Sequence, residues 1–208
     1  MSQCPYCKEF KKGFFEFQDQ TYRRHILCEK GNFVVFPSLG QIVEGYLLIA
    51  SKKHYNGMGE VPKSLYPELE SVCKKVREVL SNTYGSPLFF EHGSTLEKKG
   101  GCCITHAHIH AVPVQIDILE DLTENFDYRK MDSFEELQKE FKKGNPYLFY
   151  ESNSKERYLF EVNETIPSQY IRQIIAEKIN KPERWDWRTY PGIDELVKTI
   201  EKLKGKFE

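Results

Sequence analysis

Short apolar runs alternate along the chain with polar breaks that contain glycine. The stretches RRHILCE (23–29), NFVVFPS (32–38) and GYLLIASKK (45–53) are rich in β-branched and aromatic residues, which predicts three strands of an antiparallel meander. Over 62–84 the period changes. Apolar residues fall at 65, 69, 72, 76, 79 and 80, behind Pro62 and ahead of Gly85, the spacing of an amphipathic helix with a defined start and stop. Strand character returns in PLFFEHG (87–93) and HAHIHAVPV (106–114), joined by the glycine-rich loop GSTLEKKGG. Several strands, one long helix and two more strands predict an α+β fold, a mainly antiparallel sheet covered by that helix.

Beyond Val114 the elements are shorter. IDILEDL (116–122) and SFEELQKEFKKG (133–144) predict short helices, and PYLFYES and RYLFEVN predict a hairpin around NSKE. A helix is expected over 167–180 with Pro167 at its start, and a last one over 192–204. The division expected is a catalytic unit at 1–118 and an α/β C-terminal extension at 119–208, packed on the same domain.

A chain of 208 residues supports one well-buried core with an appendage, and 39% apolar with 29% charged residues is the make-up of a folded protein. A formal net charge of −1 argues against long nucleic acid as a partner, so any phosphate contact must come from a local site. No apolar run spans a bilayer and the polar start MSQCPYCKEFKKG has no signal-peptide core, so the expected location is cytoplasmic, away from membranes.

With six cysteines and no export signal, a disulfide framework is not expected. Cys28 and Cys73 read as small buried apolar residues. Cys4 and Cys7 form a C-x-x-C pair, half of a zinc site that needs two further ligands. His54 and one histidine of the 106–110 run are the natural candidates.

That run, GGCCITHAHIHAVPV, places His106, His108 and His110 at every second position, on one face of a strand whose other face carries Ala107, Ile109 and Ala111. Two chemistries fit. Several imidazoles can bind one catalytic zinc, or one neutral imidazole can itself be the nucleophile at phosphorus. The KKGGCC loop just upstream favours the second, since its glycines and backbone N–H groups, beside Lys98 and Lys99, can cradle an anionic group.

HAHIHAV fits the signature of the histidine triad (HIT) superfamily, nucleotide hydrolases and transferases. The upstream features also come in the family's order: C-x-x-C, a strand pair ending in Lys-x-His, a long helix and a glycine-rich segment. The resemblance covers residues 4–115 and implies a HIT-like fold. It implies a hydrolase acting on a phosphoanhydride or P–N bond, or a nucleotidyltransferase, with a small nucleotide as substrate. Dinucleoside polyphosphates and adenylated small molecules are the substrate classes it points to. His108 would become nucleotidylated, His110 would serve phosphate or the leaving group, and Gly101 and Cys103 would occupy the phosphate loop.

Cys103 and Cys102 stand where the family often has Ser and Gln, and a thiol is a weaker donor than a hydroxyl. Ser38 falls where many members place an Asp on the ribose, and His92 is expected at the pocket border with Glu91 to orient an imidazole. Phe33 and Phe36 fit either a base pocket or the core. Members that keep the C-x-x-C imply one structural zinc, here on Cys4, Cys7, His54 and His106. Small members also imply a homodimer, unless the extension covers that interface. The stretch ETIPSQYIRQIIAEKINKPERWDWR resembles CwfJ-type relatives associated with RNA, which supports an alternative, an RNA-associated binding or processing protein with little turnover. Trp185 and Trp187 fit packing anchors, while Gln169, Arg172 and Arg188 fit groups reaching into the pocket.

Overall fold

In the computed structural model, residues 4–23, 25–95, 98 and 100–208 are described. Helix α1 (Pro5–Lys12) opens with Pro in its first turn and stops at Gly13, whose φ of 78° lets its N–H close back on the Glu9 carbonyl. A hairpin follows, β1 (Phe14–Phe17) and β2 (Gln20–Arg23), turned by Gln18 and Asp19 at φ 47° and 59°. Positive φ at both central residues is the turn that matches strand twist, here made without glycine.

The chain continues through β3 (Cys28–Lys30), β4 (Phe33–Pro37), β5 (Leu47–Ser51), α2 (Tyr66–Thr83), β6 (Leu88–Gly93) and β7 (His108–Val112). Then come α3 (Leu119–Thr123), β8 (Tyr128–Lys130), α4 (Glu135–Lys142), β9 (Tyr147–Glu151), β10 (Arg157–Glu161), α5 (Tyr170–Lys178) and α6 (Ile193–Leu203). The expected strand over 23–29 is not one element: Arg23 ends β2, Arg24 lies outside the described residues, and pairing resumes only at Cys28. The strand expected from His106 starts at His108.

An antiparallel sheet of eight strands runs β3-β4-β5-β7-β6-β9-β10-β8. β6 pairs with both β7 and β9, so the sheet continues without interruption across the boundary at residue 118. The sheet is covered on both faces, which explains why β4 and β5 read as continuous apolar runs instead of alternating ones. On one face Leu69, Val72, Val76 and Leu80 of α2 pack on Val35, Ile49, Phe89 and Ile109. On the other, Tyr6 of α1 and Ile171 and Ile175 of α5 pack with Phe36, Leu48, Phe90 and Tyr150. Since side chains alternate along β7, Ile109 and Ala111 face α2 while His108 and His110 face the second side. Among the described residues no helix is long and apolar enough to cross a membrane.

Candidate functional site

The C-x-x-C turn begins α1, and α1 lies on the second face of the sheet. Tyr6, between the two cysteines, sets its ring edge-on to His106 and His108, with centroids 5.7 and 5.5 Å away. The ligand atoms of Cys4, Cys7, His54 and His106 consequently lie within 4.8 Å of one another. His106 Nδ1 is 3.4 Å from Cys4 Sγ and 3.6 Å from Cys7 Sγ, and His54 Nδ1 is 3.5 Å from Cys7 Sγ.

The donor set fits a metal. Tetrahedral bonds of about 2.3 Å to sulfur and 2.0–2.1 Å to nitrogen put neighbouring S and N donors roughly 3.6 Å apart. The second ring nitrogen of His106 is also accounted for: Nε2–H donates to the Ser51 carbonyl over 2.7 Å. That contact leaves the Nδ1 lone pair for a ligand, the outer-sphere arrangement of metal-bound histidines. Burial pushes the Cys4 thiol up to about 11, so a cation beside it is what would favour its thiolate. Among the described residues this is the group able to hold a metal, and His108 and His110 are not in it.

His108 has the opposite arrangement. Its Nδ1–H donates to the backbone carbonyl of His106 over 2.5 Å, which leaves the lone pair on Nε2. Burial lowers its pKa, and the ring is neutral at physiological pH. His110 stacks flat on Phe90, with centroids 4.3 Å apart and 3° between the planes, and its Nδ1 lies 2.6 Å from the Tyr46 hydroxyl. Burial pushes the Tyr46 phenol up to about 12 and holds His110 well below the usual histidine range. With both groups neutral, the tautomer with hydrogen on Nε2 lets Nδ1 accept from the phenol, and the other lets Nδ1–H donate to it.

His108 and His110 form part of the wall of a cavity of about 400 Å³, together with His92, Ser38, Gly101 and Cys103. His92 accepts the Ile171 N–H on Nε2 over 3.2 Å, which caps the first turn of α5, and burial holds its pKa down at about 3. Glu91 does not orient it. Adjacent strand residues face opposite ways, and Glu91 turns to the Met58 N–H and the Tyr147 hydroxyl in the other core. Phe33 and Phe36 divide in the same manner: Phe33 is core under α2, and Phe36 lines the cavity.

Gly101, at φ 76°, sits where an added Cβ would come 2.9 Å from Ile166 and 3.0 Å from the Pro167 carbonyl, and its own carbonyl takes the Gln169 N–H. The glycine thus lets residues 166–169 close on the loop. Lys99 lies outside the described residues. Ser38 donates its hydroxyl to the Leu39 carbonyl. Cys103 Sγ lies 2.9 Å from Ser168 Oγ, and Cys102 Sγ lies 2.8 Å from Ser94 Oγ, so each thiol of the loop has a hydroxyl beside it.

The C-terminal segment builds the remaining wall with Gln169, Arg172, Trp187 and Arg188. Arg172 lies over the Tyr46 ring at 5.2 Å and donates to the Trp185 and Gly40 carbonyls, each at 2.8 Å. Trp187 lies against Phe17 of the hairpin, with ring centroids 6.1 Å apart, while Trp185 packs into the core of the second face. Tyr46 and Ser168 had no chemical signal in the sequence. Only the register that sets Leu48 opposite His110 brings the Tyr46 hydroxyl to that imidazole.

No protein-family model matches the chain. Over 95% of its length it is 25% identical to the zinc finger CCCH domain-containing protein 64 of Arabidopsis thaliana, and it spans 35% of that relative. Among solved structures, it is similar to a HIT family protein from Bacillus anthracis, at 21% identity and a TM-score of 0.43, over 54% of this chain and 73% of that one. It is also similar to a Zn-bound histidine triad family protein from Mycobacterium smegmatis, at 14% identity and a TM-score of 0.43, over 68% of this chain and 92% of that one.

Proposed function

We propose that this protein is a histidine-triad enzyme that cleaves a nucleoside phosphoanhydride or phosphoramidate through a nucleotidyl-His108 intermediate. The observation that carries this reading is the state of His108: a buried, neutral imidazole whose Nδ1–H is tied to the His106 carbonyl, at the wall of a 400 Å³ cavity. The free Nε2 is then the nucleophile.

In the first step Nε2 bonds to the α-phosphorus. The P–O or P–N bond to the leaving group breaks, and the leaving group departs with the electron pair and takes up a proton. His110, with its hydrogen on Nε2 through the Tyr46 contact, donates a hydrogen bond to a phosphate oxygen at the leaving-group side, and the proton that the leaving group takes up comes from water. In the second step water bonds to phosphorus and releases a proton, and the P–N bond returns its electron pair to Nε2. The products are a nucleoside monophosphate and free His108. With a second acceptor in place of water the same intermediate makes a nucleotidyltransferase. Gly101, Cys103 and His92 flank the phosphates, and Ser38 with Phe36 serves the nucleoside.

Cys4, Cys7, His54 and His106 would hold one zinc ion. A closed four-ligand zinc has no position for water, and its contribution is to fasten α1 to the start of the triad strand.

Trapping tests the proposal. After incubation with a panel of dinucleoside polyphosphates and adenosine 5′-phosphoramidate, intact-mass measurement should find one nucleoside monophosphate joined to the chain. Peptide mapping should place it on His108, and His108→Ala should carry none. Nucleotide or RNA binding without an adduct or product would favour the RNA-associated binding reading instead.

A further inference from the structure

Arg172 is a buried cation with no ion-pair partner among the described residues. The residue is 3% exposed, and its Nε and Nη2 donate to two backbone carbonyls, those of Trp185 and Gly40. Among the described residues no carboxylate lies within ion-pair distance of it. The side chain lines the same cavity as His92, His108 and His110, whose imidazoles cannot supply a negative charge, and as Glu9 and Glu16, neither of which is ion-paired with it. A buried cation is costly unless paired, and a cavity beside it admits the partner.

Gln169 presents a second unmet group one helical turn earlier, on the same side of the start of α5. It is 3% exposed, lines the cavity, and has a buried Oε1 with no hydrogen-bond partner, while its Nε2 donates to Asp186 Oδ1 over 3.2 Å. That contact settles the amide's orientation, because a flip would set oxygen against a carboxylate. Its backbone is held at φ 63°, a left-handed conformation that costs a non-glycine residue energy and that the bond from its N–H to the Gly101 carbonyl secures.

We infer that the start of α5 completes the ligand site: Arg172 neutralises a phosphate of the bound molecule, and Gln169 Oε1 accepts a hydrogen bond from a hydroxyl or amino group of that same molecule. This rests on the nucleotide reading above and sharpens it. The ligand is a phosphate ester whose donor group lies near the phosphate, and its recognition is divided between the triad strand and the C-terminal segment.

Calorimetric titration of the full chain tests this with inorganic pyrophosphate, the four ribonucleosides and their 5′-monophosphates. Arg172→Gln should weaken the preferred monophosphate by about tenfold or more and the corresponding nucleoside by less than about twofold. Arg172→Lys keeps the charge without the planar fork, so it should fall between wild type and Arg172→Gln, and it carries the test if Arg172→Gln does not fold. Gln169→Leu should weaken the monophosphate by roughly threefold to tenfold.

Equal loss of nucleoside and monophosphate would make Arg172 a structural staple only and overturn the inference. Unchanged monophosphate affinity in both Arg172 variants would also overturn it, with the nucleotide reading intact. Arg172-dependent pyrophosphate binding in a protein that takes no nucleotide would uphold the anion site and remove the nucleotide reading. Wild type that binds none of the probes removes both.

Discussion

His106 and His108 are two residues apart and both buried, yet opposite nitrogens of their rings are tied off. In His106 the Ser51 carbonyl takes Nε2–H and Nδ1 is turned to the two thiols. In His108 the carbonyl of His106 takes Nδ1–H and Nε2 is left for the cavity. A backbone carbonyl accepts only, so its position selects the tautomer, and the tautomer selects the chemistry. One residue joins the two regions: His106 presents its ring to the cysteines and its carbonyl to the proposed nucleophile.

The largest expected effect separates these regions outright. His108→Asn should lower the proposed turnover by on the order of a thousandfold or more while metal content, read by elemental analysis, stays at the wild-type level. Loss of metal in that variant would merge the two regions into one site.

The converse variant is next in size. Cys7→Ala should lose the metal and lower the calorimetric Tm by roughly 10 °C, and a strong chelator should do the same to wild type. An unchanged Tm in both would show that the cluster holds nothing that stabilises the fold.

β6 carries the same kind of opposition across its two faces, and it can be read by pH. Burial holds His92 down at about 3 against 6.5 unperturbed, so the unfolded chain binds the extra proton. Its contribution is complete above about 6.5 and is lost as pH falls. Burial holds Glu91 up at about 7 against 4.5, so the folded chain binds the extra proton. Its contribution is complete below about 4.5 and is lost as pH rises through 7. Between pH 6.5 and 5.0 the two should oppose each other by roughly 1.5 kcal/mol each. Urea unfolding at both pH values should show His92→Gln losing that much less stability on acidification than wild type, and Glu91→Gln losing that much more. Variants that move the same way would mean that the two carboxyl and imidazole environments are not opposed.

The smallest effect concerns the support of His110. Tyr46→Phe should lower kcat/KM by about tenfold, since it leaves a buried Nδ1 without its partner. An unchanged rate would mean that the Tyr46 contact does not set the working tautomer.

Most of the sheet and its covering helix were legible because their periods are local: the 3.6-residue spacing of 65–80 and the apolar runs of β4 to β7 each declare an element. What was missed was short or lacked the usual punctuation. β1 and β2 turn on Gln18 and Asp19 where Asn-Gly would have been the signal, and β8 is three residues long. Glu91 was expected beside a site imidazole, and the alternation of the strand turned it into the other core. The cluster of Cys4, Cys7, His54 and His106 drew on residue types and a resemblance, while the cavity wall of Tyr46, Gln169 and Arg172 needed coordinates.

Local pattern was enough for the longer elements, the apolar faces of the sheet and the supply of thiols, imidazoles and glycines at spacings that suit them. It was enough because propensity and periodicity act within a few residues. The tertiary structure alone decided which nitrogen of His106 and of His108 is free, which carbonyl anchors each, and that Arg172 is buried beside a cavity with no carboxylate partner among the described residues. Those facts depend on contacts such as Cys4 with His106, 102 residues apart, where hydrogen bonding and desolvation act between groups that no local pattern relates.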